Sequence, residues 1–218
     1  MDKQDSQTVP GTGRIEAFSD GVLAIIATLL VLNLEAPKLD DLSTSGVLRA
    51  LWPLLPPFIS FAFSFFSVAI FWVNHHHFFA TIKRTDWKLL WYNNLLLFWL
   101  AVLPFTTSLI GEHPTIPVVV ALYALNMGLA TASFSLMENH VFFLSRLLPD
   151  SIPQQEQDKE FKRSKIGTVA YAIAIILAFV FVYAALVLLI LVPFYFIVPN
   201  LLARNPQPEN ESSPKESS

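Results

Sequence analysis

The sequence predicts an all-α, polytopic membrane protein with six transmembrane helices. Only 14% of its 218 residues are charged and 54% are hydrophobic, whereas a soluble domain carries about 25% charged residues. Several apolar stretches exceed the ~18 residues that indicate a membrane-spanning helix. The 19 Phe and only 7 Gly residues favour long apolar helices over the short alternating strands of a β-barrel.

Four apolar segments and one longer apolar run underlie this prediction. The segments cover residues 15–34, 47–80, 87–110 and 115–148, and the last run covers residues 166–198 after a polar stretch over residues 149–165. Pro53, Pro56 and Pro57 are expected to bend or restart the second helix near its first turns, and Pro104 lies inside the third.

The polar ends are expected to lie outside the membrane domain. Residues 1–13 lack the pattern of a cleaved signal peptide, so the first apolar segment is expected to remain in the mature protein. Residues 205–218 are rich in Pro, Ser and Glu and are predicted to be disordered. The membrane domain is therefore expected over residues 14–204.

The last apolar run is long for one crossing and short for two. Two crossings that turn near residues 182–186 give six helices, and one long helix gives five. Lys and Arg concentrate on cytoplasmic loops, and six helices with the N-terminus inside leave only Lys38 and Arg49 outside. Five helices would also move Arg204 and Lys215 outside. Charge therefore favours six helices with both termini in the cytoplasm.

The composition and motifs exclude several classes of site. Cysteine is absent, which excludes disulfides, thiolate catalysis and cysteine-based metal sites. The net charge is −3 and no basic block indicates a nucleic-acid partner. The sequence contains no Walker loop, no Gly-rich nucleotide turn and no H-E-x-x-H or G-x-S-x-G motif. We therefore expect neither an enzyme nor a cofactor or metal site. A T-V-G-Y-G potassium filter is also missing.

The start of the first segment places Arg14, Glu16 and Asp20 at or just inside the membrane. Charges at this depth are costly, and they usually pair or face protein or water. Glu16 and Asp20 are four residues apart and share a helix face. One interpretation is an ordinary helix start, with acidic groups near the positive end of the helix dipole and Arg14 reaching the lipid headgroups. The other is a functional cluster.

Gly21, Ile25, Thr28 and Leu32 follow one another at helical spacing along the same segment, with Leu29 beside them. Around a symmetry axis this stripe would form rings of branched apolar side chains and one ring of hydroxyl groups. Such rings can close a pore by dewetting. The alternative is a stripe that faces lipid or packs against other helices, as most apolar stripes of membrane helices do.

Near its end, the second segment carries Trp72 and Asn74 and then three adjacent histidines, His75, His76 and His77. Three adjacent histidines point in directions about 100° apart on a helix, so they cannot form one metal site. They are predicted in the same leaflet as the acidic start of the first segment. A buried polar group needs partners, so we expect the two clusters to hold helices together. A pH-sensing role for histidine is a second possibility.

Two motifs resemble the endolysosomal potassium-channel family, transmembrane protein 175, and its prokaryotic relatives. The first is R-x-x-x-F-S-D, formed by Arg14, Phe18, Ser19 and Asp20 before the first helix. The second is W-x-N-H-H, formed by Trp72, Asn74, His75 and His76. A weaker likeness is L-P-F-x-T at residues 103–107, after Asn94. The resemblance covers the six-helix body and leaves out both polar ends.

This resemblance implies a six-helix repeat whose first helix lines the pore. Animal members carry two repeats and dimerise, and prokaryotic members carry one and form tetramers. The chain has room for one repeat. Counted from the motif, the family's apolar gate falls on Ile25 and its hydroxyl layer on Thr28, with Leu32 continuing the constriction and Leu29 contributing. The family's interhelical network corresponds to Arg14, Asp20, Trp72 and His75 or His76.

The expected function is a potassium-permeable channel subunit, forming a homotetramer in the plasma membrane of a prokaryote. No cofactor is expected, and potassium is the permeant ion. One alternative is a proton-conducting pore in which Asp20 and the histidines relay protons. A secondary transporter is a further alternative, although the sequence shows no clear internal repeat and only Pro104 interrupts a helix at mid-membrane. A non-conducting scaffold also remains open.

Overall fold

A computed structural model describes residues 11–145, 147–149 and 152–202, with side chains up to residue 196. Its regular elements in these residues are helices: α1 Thr12–Leu29, α2 Thr44–Leu51, α3 Leu55–Thr81, α4 Trp87–Glu112, α5 Pro117–Asn139, α6 Gln154–Val180 and α7 Val182–Leu202. A 3₁₀ turn over Leu30–Asn33 extends α1, and a π-helical turn over His140–Leu144 extends α5. The predicted disordered tail at 205–218 and most of the polar segment at 1–13 lie outside the described residues.

Six helices have the length of a membrane crossing. Five helical stretches are long and apolar enough by composition: Thr12–Asn33, Thr44–Thr81, Trp87–Glu112, Pro117–Leu144 and Gln154–Val180. The sixth is α7, an apolar helix of 21 residues, and about 20 residues suffice to span the hydrocarbon core. The prediction of an all-α membrane protein with six crossings is therefore confirmed.

The last apolar run forms a hairpin of two helices. Phe181 separates α6 from α7 and leaves the α-helical region of backbone space, with φ −145° and ψ 83°. Beyond this break the chain returns along α6. A guanidinium nitrogen of Arg163 in α6 donates to the carbonyl oxygen of Phe196 in α7 at 2.7 Å. A Cβ added to Gly167 would meet the ring of Phe196 at 2.8 Å, so the two helices approach closely there. The polar residues 154–165 belong to α6 and form about three turns of it.

Proline residues interrupt the second apolar segment where the sequence predicts it, whereas α4 continues through Pro104. Pro53 lies in a 3₁₀ turn over Trp52–Leu54 that separates α2 from α3. Pro56 and Pro57 occupy the first turn of α3, where their missing N–H groups cost little. Pro104 lies inside α4, and its carbonyl oxygen accepts a hydrogen bond of 2.9 Å from the Asn33 side chain. The far end of α1 is thereby attached to the middle of α4.

The core of the subunit lies around α5, which packs against both α4 and α6. Its fully buried residues include Val120, Ala124 and Met137. Hydrophobic transfer contributes little between helices in lipid, so close packing and interhelical hydrogen bonds hold such bundles together. One example joins three helices: Ser64 of α3 bonds to Tyr123 of α5 at 3.1 Å and accepts from Thr107 of α4 at 2.7 Å.

Asp86 connects the start of α4 to the end of α5. Its Oδ1 accepts from the backbone N–H of Leu89 at 2.8 Å, which caps α4, and its Oδ2 lies 2.7 Å from Nε2 of His140 in the π-helical turn. Burial by itself raises the pKa of Asp86, but the hydrogen bonds from Leu89 and His140 outweigh it and lower the pKa below its ordinary value. The folded protein therefore stabilises the ionised form of Asp86.

We expect Asp86→Ala to lower the free energy of unfolding by about 0.5–2 kcal/mol, the usual cost of losing an N-cap. Asp86→Asn keeps a capping oxygen and loses only the charge, so its loss is smaller, under about 1 kcal/mol for a carboxylate that is one-third exposed. Thermal unfolding of the purified protein measures both.

The loss in free energy of unfolding that Asp86→Asn causes also depends on pH. Because the folded pKa is depressed, the stabilisation is present above the ordinary value of about 3.9 and is lost as the pH falls through the folded pKa. The difference in free energy of unfolding between wild type and Asp86→Asn should therefore become smaller below about pH 4. Equal losses in the Ala and Asn variants at neutral pH would show that the contact with His140, and not the cap, carries the effect.

Candidate ion pathway

Helix α1 has one packed face and one uncovered face. Its buried residues Ile15, Ser19, Leu23 and Ile26, with Leu30 in the following 3₁₀ turn, face the rest of the subunit. These residues contact α3 and α4, the two helices that pack against α1. The spacing of three or four residues between them is that of one side of an α-helix. The opposite side of α1 is not covered by any of the described residues.

The uncovered side carries the stripe of Gly21, Ile25, Thr28 and Leu32. Ile25 is 59% exposed and Leu32 is 70% exposed in the single chain, and a Cβ added to Gly21 would meet no atom within 4 Å. Leu29 lies beside the stripe and is 43% exposed. This arrangement presents one small residue, branched apolar side chains and one hydroxyl group along a single line of the helix.

The hydroxyl group of Thr28 has a defined orientation. It donates to the carbonyl oxygen of Ile25, three residues earlier, at 2.8 Å. Because its hydrogen is used by the backbone, the oxygen of Thr28 keeps its lone pairs for another partner. An exposed oxygen of this kind can accept a hydrogen bond from water or lie next to a cation.

Asp20, at the start of the same uncovered side, is held by α3. The indole Nε1 of Trp72 donates to Oδ1 of Asp20 at 2.9 Å. The ring of Trp72 is in turn stacked on His76, with centroids 6.0 Å apart and an angle of 21° between the rings. The structure thus brings together an acidic residue of α1 and two aromatic residues of α3 that the sequence motifs single out.

Ser19 and His75 meet through a residue of α4. The amide nitrogen of Asn93 donates to Oγ of Ser19 at 3.0 Å, and Oδ1 of Asn93 lies 2.8 Å from Nε2 of His75. An amide oxygen only accepts, so Nε2 of His75 is the donor. All three side chains are buried. The network therefore joins α1, α3 and α4 by side-chain hydrogen bonds.

Sequence reasoning missed Asn93, the centre of this network. The family resemblance directs attention to Asn94, which is exposed, whereas its neighbour Asn93 is buried. The apolar pattern of α4 does not separate the two asparagines, since Leu95 and Phe98 are exposed while Leu89, Leu96, Leu97 and Leu100 form a buried face. Position 93 lies on that face, four residues after Leu89 and before Leu97.

The remaining motif residues are Arg14, Phe18 and Asn74. Arg14 and Phe18 are exposed on α1, and within the described part of the single chain Arg14 forms no ion pair. The structure therefore does not place Arg14 in the network that the resemblance implies. Asn74 is half-buried on α3 and lines, with His77, a cavity on the side of α3 that faces α5 and α6. No cluster of three His, Cys, Asp or Glu side chains that could hold a metal occurs in the described residues.

Comparisons with known proteins identify the family. A family model described as "Endosomal/lysosomal potassium channel TMEM175" matches residues 14–104. A curated relative from Chamaesiphon minutus, named "Potassium channel Cha6605_3372", is 39% identical over 172 residues, which are 77% of this chain and 84% of the relative. The chain belongs to the TMEM175 family.

The fold of this chain also matches that of a solved TMEM175 homologue. The crystal structure described as a lysosomal potassium-selective channel TMEM175 homolog from Chamaesiphon minutus matches with a TM-score of 0.76 at 34% identity, over 86% of this chain and 97% of that chain. Human TMEM175, named an endosomal/lysosomal proton channel, is 34% identical over 110 residues, which are 46% of this chain but only 22% of the human protein. The region matched by the TMEM175 family model contains both motifs and the uncovered stripe of α1.

Proposed function

We propose that this chain is the subunit of a potassium-permeable cation channel and that α1 lines its pore. The observation that carries the proposal is the uncovered face of α1, on which Ile25, Thr28 and Leu32 are exposed at helical spacing. The helix that bears the family motif presents this face away from its own subunit. A single helix cannot enclose a pore, so several copies of α1 must surround it.

The proposed assembly is a homotetramer. The described residues form one unit of six membrane-length helices, five that are long and apolar enough by composition and the shorter apolar α7, and the resemblance implies four copies for members with one repeat. In this arrangement Ile25 and Leu32 form two apolar rings, with Leu29 at their edge. A narrow apolar ring excludes water and blocks ions until it widens enough to hydrate. The hydrophobic gate is therefore assigned to Ile25 and Leu32.

Thr28 is proposed as the layer that contacts the permeant ion. It lies between Ile25 and Leu32 on the uncovered face, and its hydroxyl hydrogen is directed to the backbone, which leaves the oxygen available to potassium. Hydroxyl oxygens replace the hydration shell of an ion less completely than rings of backbone carbonyl groups. We expect moderate selectivity for potassium over sodium.

The remaining expectations follow from the channel proposal. Conduction through such a pore requires no bound cofactor and no chemical step, so the protein is proposed not to be an enzyme. The two bonded groups around Asp20–Trp72 and Asn93 are assigned to holding α1 against α3 and α4. Multiple apolar helices make the chain a multi-pass membrane protein, and the relative from Chamaesiphon minutus supports the plasma membrane of a prokaryote as its location.

A proton-conducting channel is the second candidate. The human relative is named a proton channel, and Asp20 lies exposed at the start of the uncovered face of α1. A proton path would use Asp20 and the nearby histidines as relay groups. Against it, the residues beyond Asp20 on the stripe are apolar except for Thr28, so no continuous series of titratable groups follows the helix.

Reversal potentials in a planar bilayer test the proposal. With potassium on one side, sodium on the other and equal pH, the reversal potential of the purified protein should shift toward the potassium equilibrium potential. In symmetric potassium with a pH gradient it should stay near zero. Protein-free bilayers are the control. A reversal potential that follows the pH gradient would replace the potassium channel by the proton channel, and the absence of any current would refute both.

A further inference from the structure

A second site lies away from α1, in a cavity of about 470 Å³ between α3, α5, α6 and α7. This volume falls in the range of pockets that hold small-molecule ligands. Its deeper part is lined by apolar residues such as Phe71, Met127 and Phe134. Its other end lies at the first turns of α6, where charged residues line it. The cavity is therefore amphipathic, with an apolar interior and a polar mouth.

The charged residues at the mouth are mostly acidic. Glu138 of α5 and Glu156 and Glu160 of α6 line the cavity together with one cation, Arg163. Two nitrogens of Arg163 are engaged: Nη2 donates to the carbonyl oxygen of Phe196 at 2.7 Å, and Nη1 lies 3.5 Å from Glu160. Its Nε has no hydrogen-bond partner among the described residues. The mouth thus carries three carboxylates against one guanidinium group. The mouth therefore favours a positively charged group.

Glu138 is the residue that points to a ligand. It is only 4% exposed, and its Oε2 atom accepts no hydrogen bond from any of the described residues. A buried carboxylate oxygen needs a donor, and Glu138 lines the cavity from which a donor can approach. None of these features is required by a pore along α1, which lies on the other side of α3.

We propose that this cavity binds an amphiphile with one apolar chain and a primary ammonium head group. The ammonium group lies at the acidic mouth next to Glu138, and the chain extends between α3, α5 and α6 toward Met127. An ammonium group supplies three donors, which suits a mouth with three carboxylates. The volume accommodates one chain, so a lipid with two chains fits less well.

Photolabelling tests the site in the purified full-length protein. The probe is dodecylamine with a diazirine at the end of its chain, used below saturation. Peptide mapping should place the label on residues of the cavity interior, such as Met127, Thr131 or Phe134. Unlabelled dodecylamine should compete. Dodecanol and dodecanoate lack the ammonium group and should compete at least about tenfold less well, because a hydrogen bond to a charged group contributes about 1.5–3 kcal/mol. Phosphatidylethanolamine has the ammonium group but two chains, so it should compete less well for lack of space.

The variant Glu138→Gln keeps the shape of the side chain and cannot ionise. We expect it to reduce labelling about tenfold, while Glu112→Gln, at an exposed position of α4 outside the cavity, labels like wild type. Label on α1 instead of the cavity would overturn the proposal. So would equal competition by dodecanol, which would show an apolar site without head-group recognition, or by phosphatidylethanolamine, which would show a two-chain lipid site. The competition series uses wild-type protein, so it decides the question even where Glu138→Gln does not fold.

Discussion

Ile25→Asn should raise the basal potassium current by about tenfold or more. In the proposed pore one substitution places a ring of amide side chains where the apolar ring of Ile25 closes the path. Polar side chains lower the free energy of hydrating the constriction, and a reduction of about 1.4 kcal/mol in the barrier is a tenfold increase in rate. The measurement is the current in planar bilayers at a fixed amount of reconstituted protein, with the pore otherwise unchanged.

Two variants control for effects unrelated to the gate. Ile25→Leu keeps an apolar ring and should conduct like wild type. Ile176→Asn makes the same chemical change on α6, at a residue that is also exposed in the single chain but is not assigned to the pore. Its current per reconstituted channel should stay at the wild-type level. A current in Ile25→Asn that equals wild type would remove Ile25 from the gate.

Asn93→Leu should lower the free energy of unfolding by about 2 kcal/mol or more. The substitution preserves much of the side-chain volume and removes the hydrogen-bond partner that Ser19 and His75 share. Oγ of Ser19 would lose its bond of 3.0 Å and Nε2 of His75 its bond of 2.8 Å. Each buried polar group that is left without a partner costs about 1–3 kcal/mol. An interhelical hydrogen bond in a membrane contributes on average only about 0.6 kcal/mol, so we expect the low end of the range for each of the two groups. Thermal unfolding in detergent measures the difference.

Asn94→Leu is the matched control, because it makes the same change at the adjacent position on the exposed side of α4. It should leave the unfolding temperature close to wild type. If the two variants lose the same stability, the network does not hold α1 against α3 and α4. The packed face of α1 would then depend on apolar contacts of residues such as Leu23 and Ile26 alone.

The hydrogen-bond network also relates the packed face of α1 to its uncovered face. Ser19 fixes the packed face of the helix, and Asp20, the next residue, lies on the uncovered face and is held by Trp72. Adjacent residues on a helix point about 100° apart. Two bonds in these directions define the rotation of α1 about its axis, and so they define which residues it presents on the proposed pore side. We expect Asn93→Leu to alter conduction as well as stability for this reason.

Much of the fold was predictable from the sequence because the bilayer imposes length and polarity on each segment. Apolar runs of about 20 residues predict crossings, and the distribution of Lys and Arg favoured two helices in the last run, where length alone left five or six open. The structure bears out six helices, with the break at Phe181, one residue before the predicted turn region. Prolines near the start of α3 predicted the interruption at Trp52–Leu54.

The amino-acid sequence predicted the class of protein, favoured six helices over five and, through its motifs, indicated the family. Which of two adjacent asparagines is buried, and where each histidine points, emerged only from the fold: His75 to Asn93, His76 to Trp72 and His77 to the cavity. The unpaired Oε2 of Glu138 also emerged only there. Membrane helices are apolar on nearly all sides, so their periodicity does not distinguish a face that packs from one that faces lipid or a pore. That distinction depends on which helices pack together, and α1 acquires its two faces from α3 and α4.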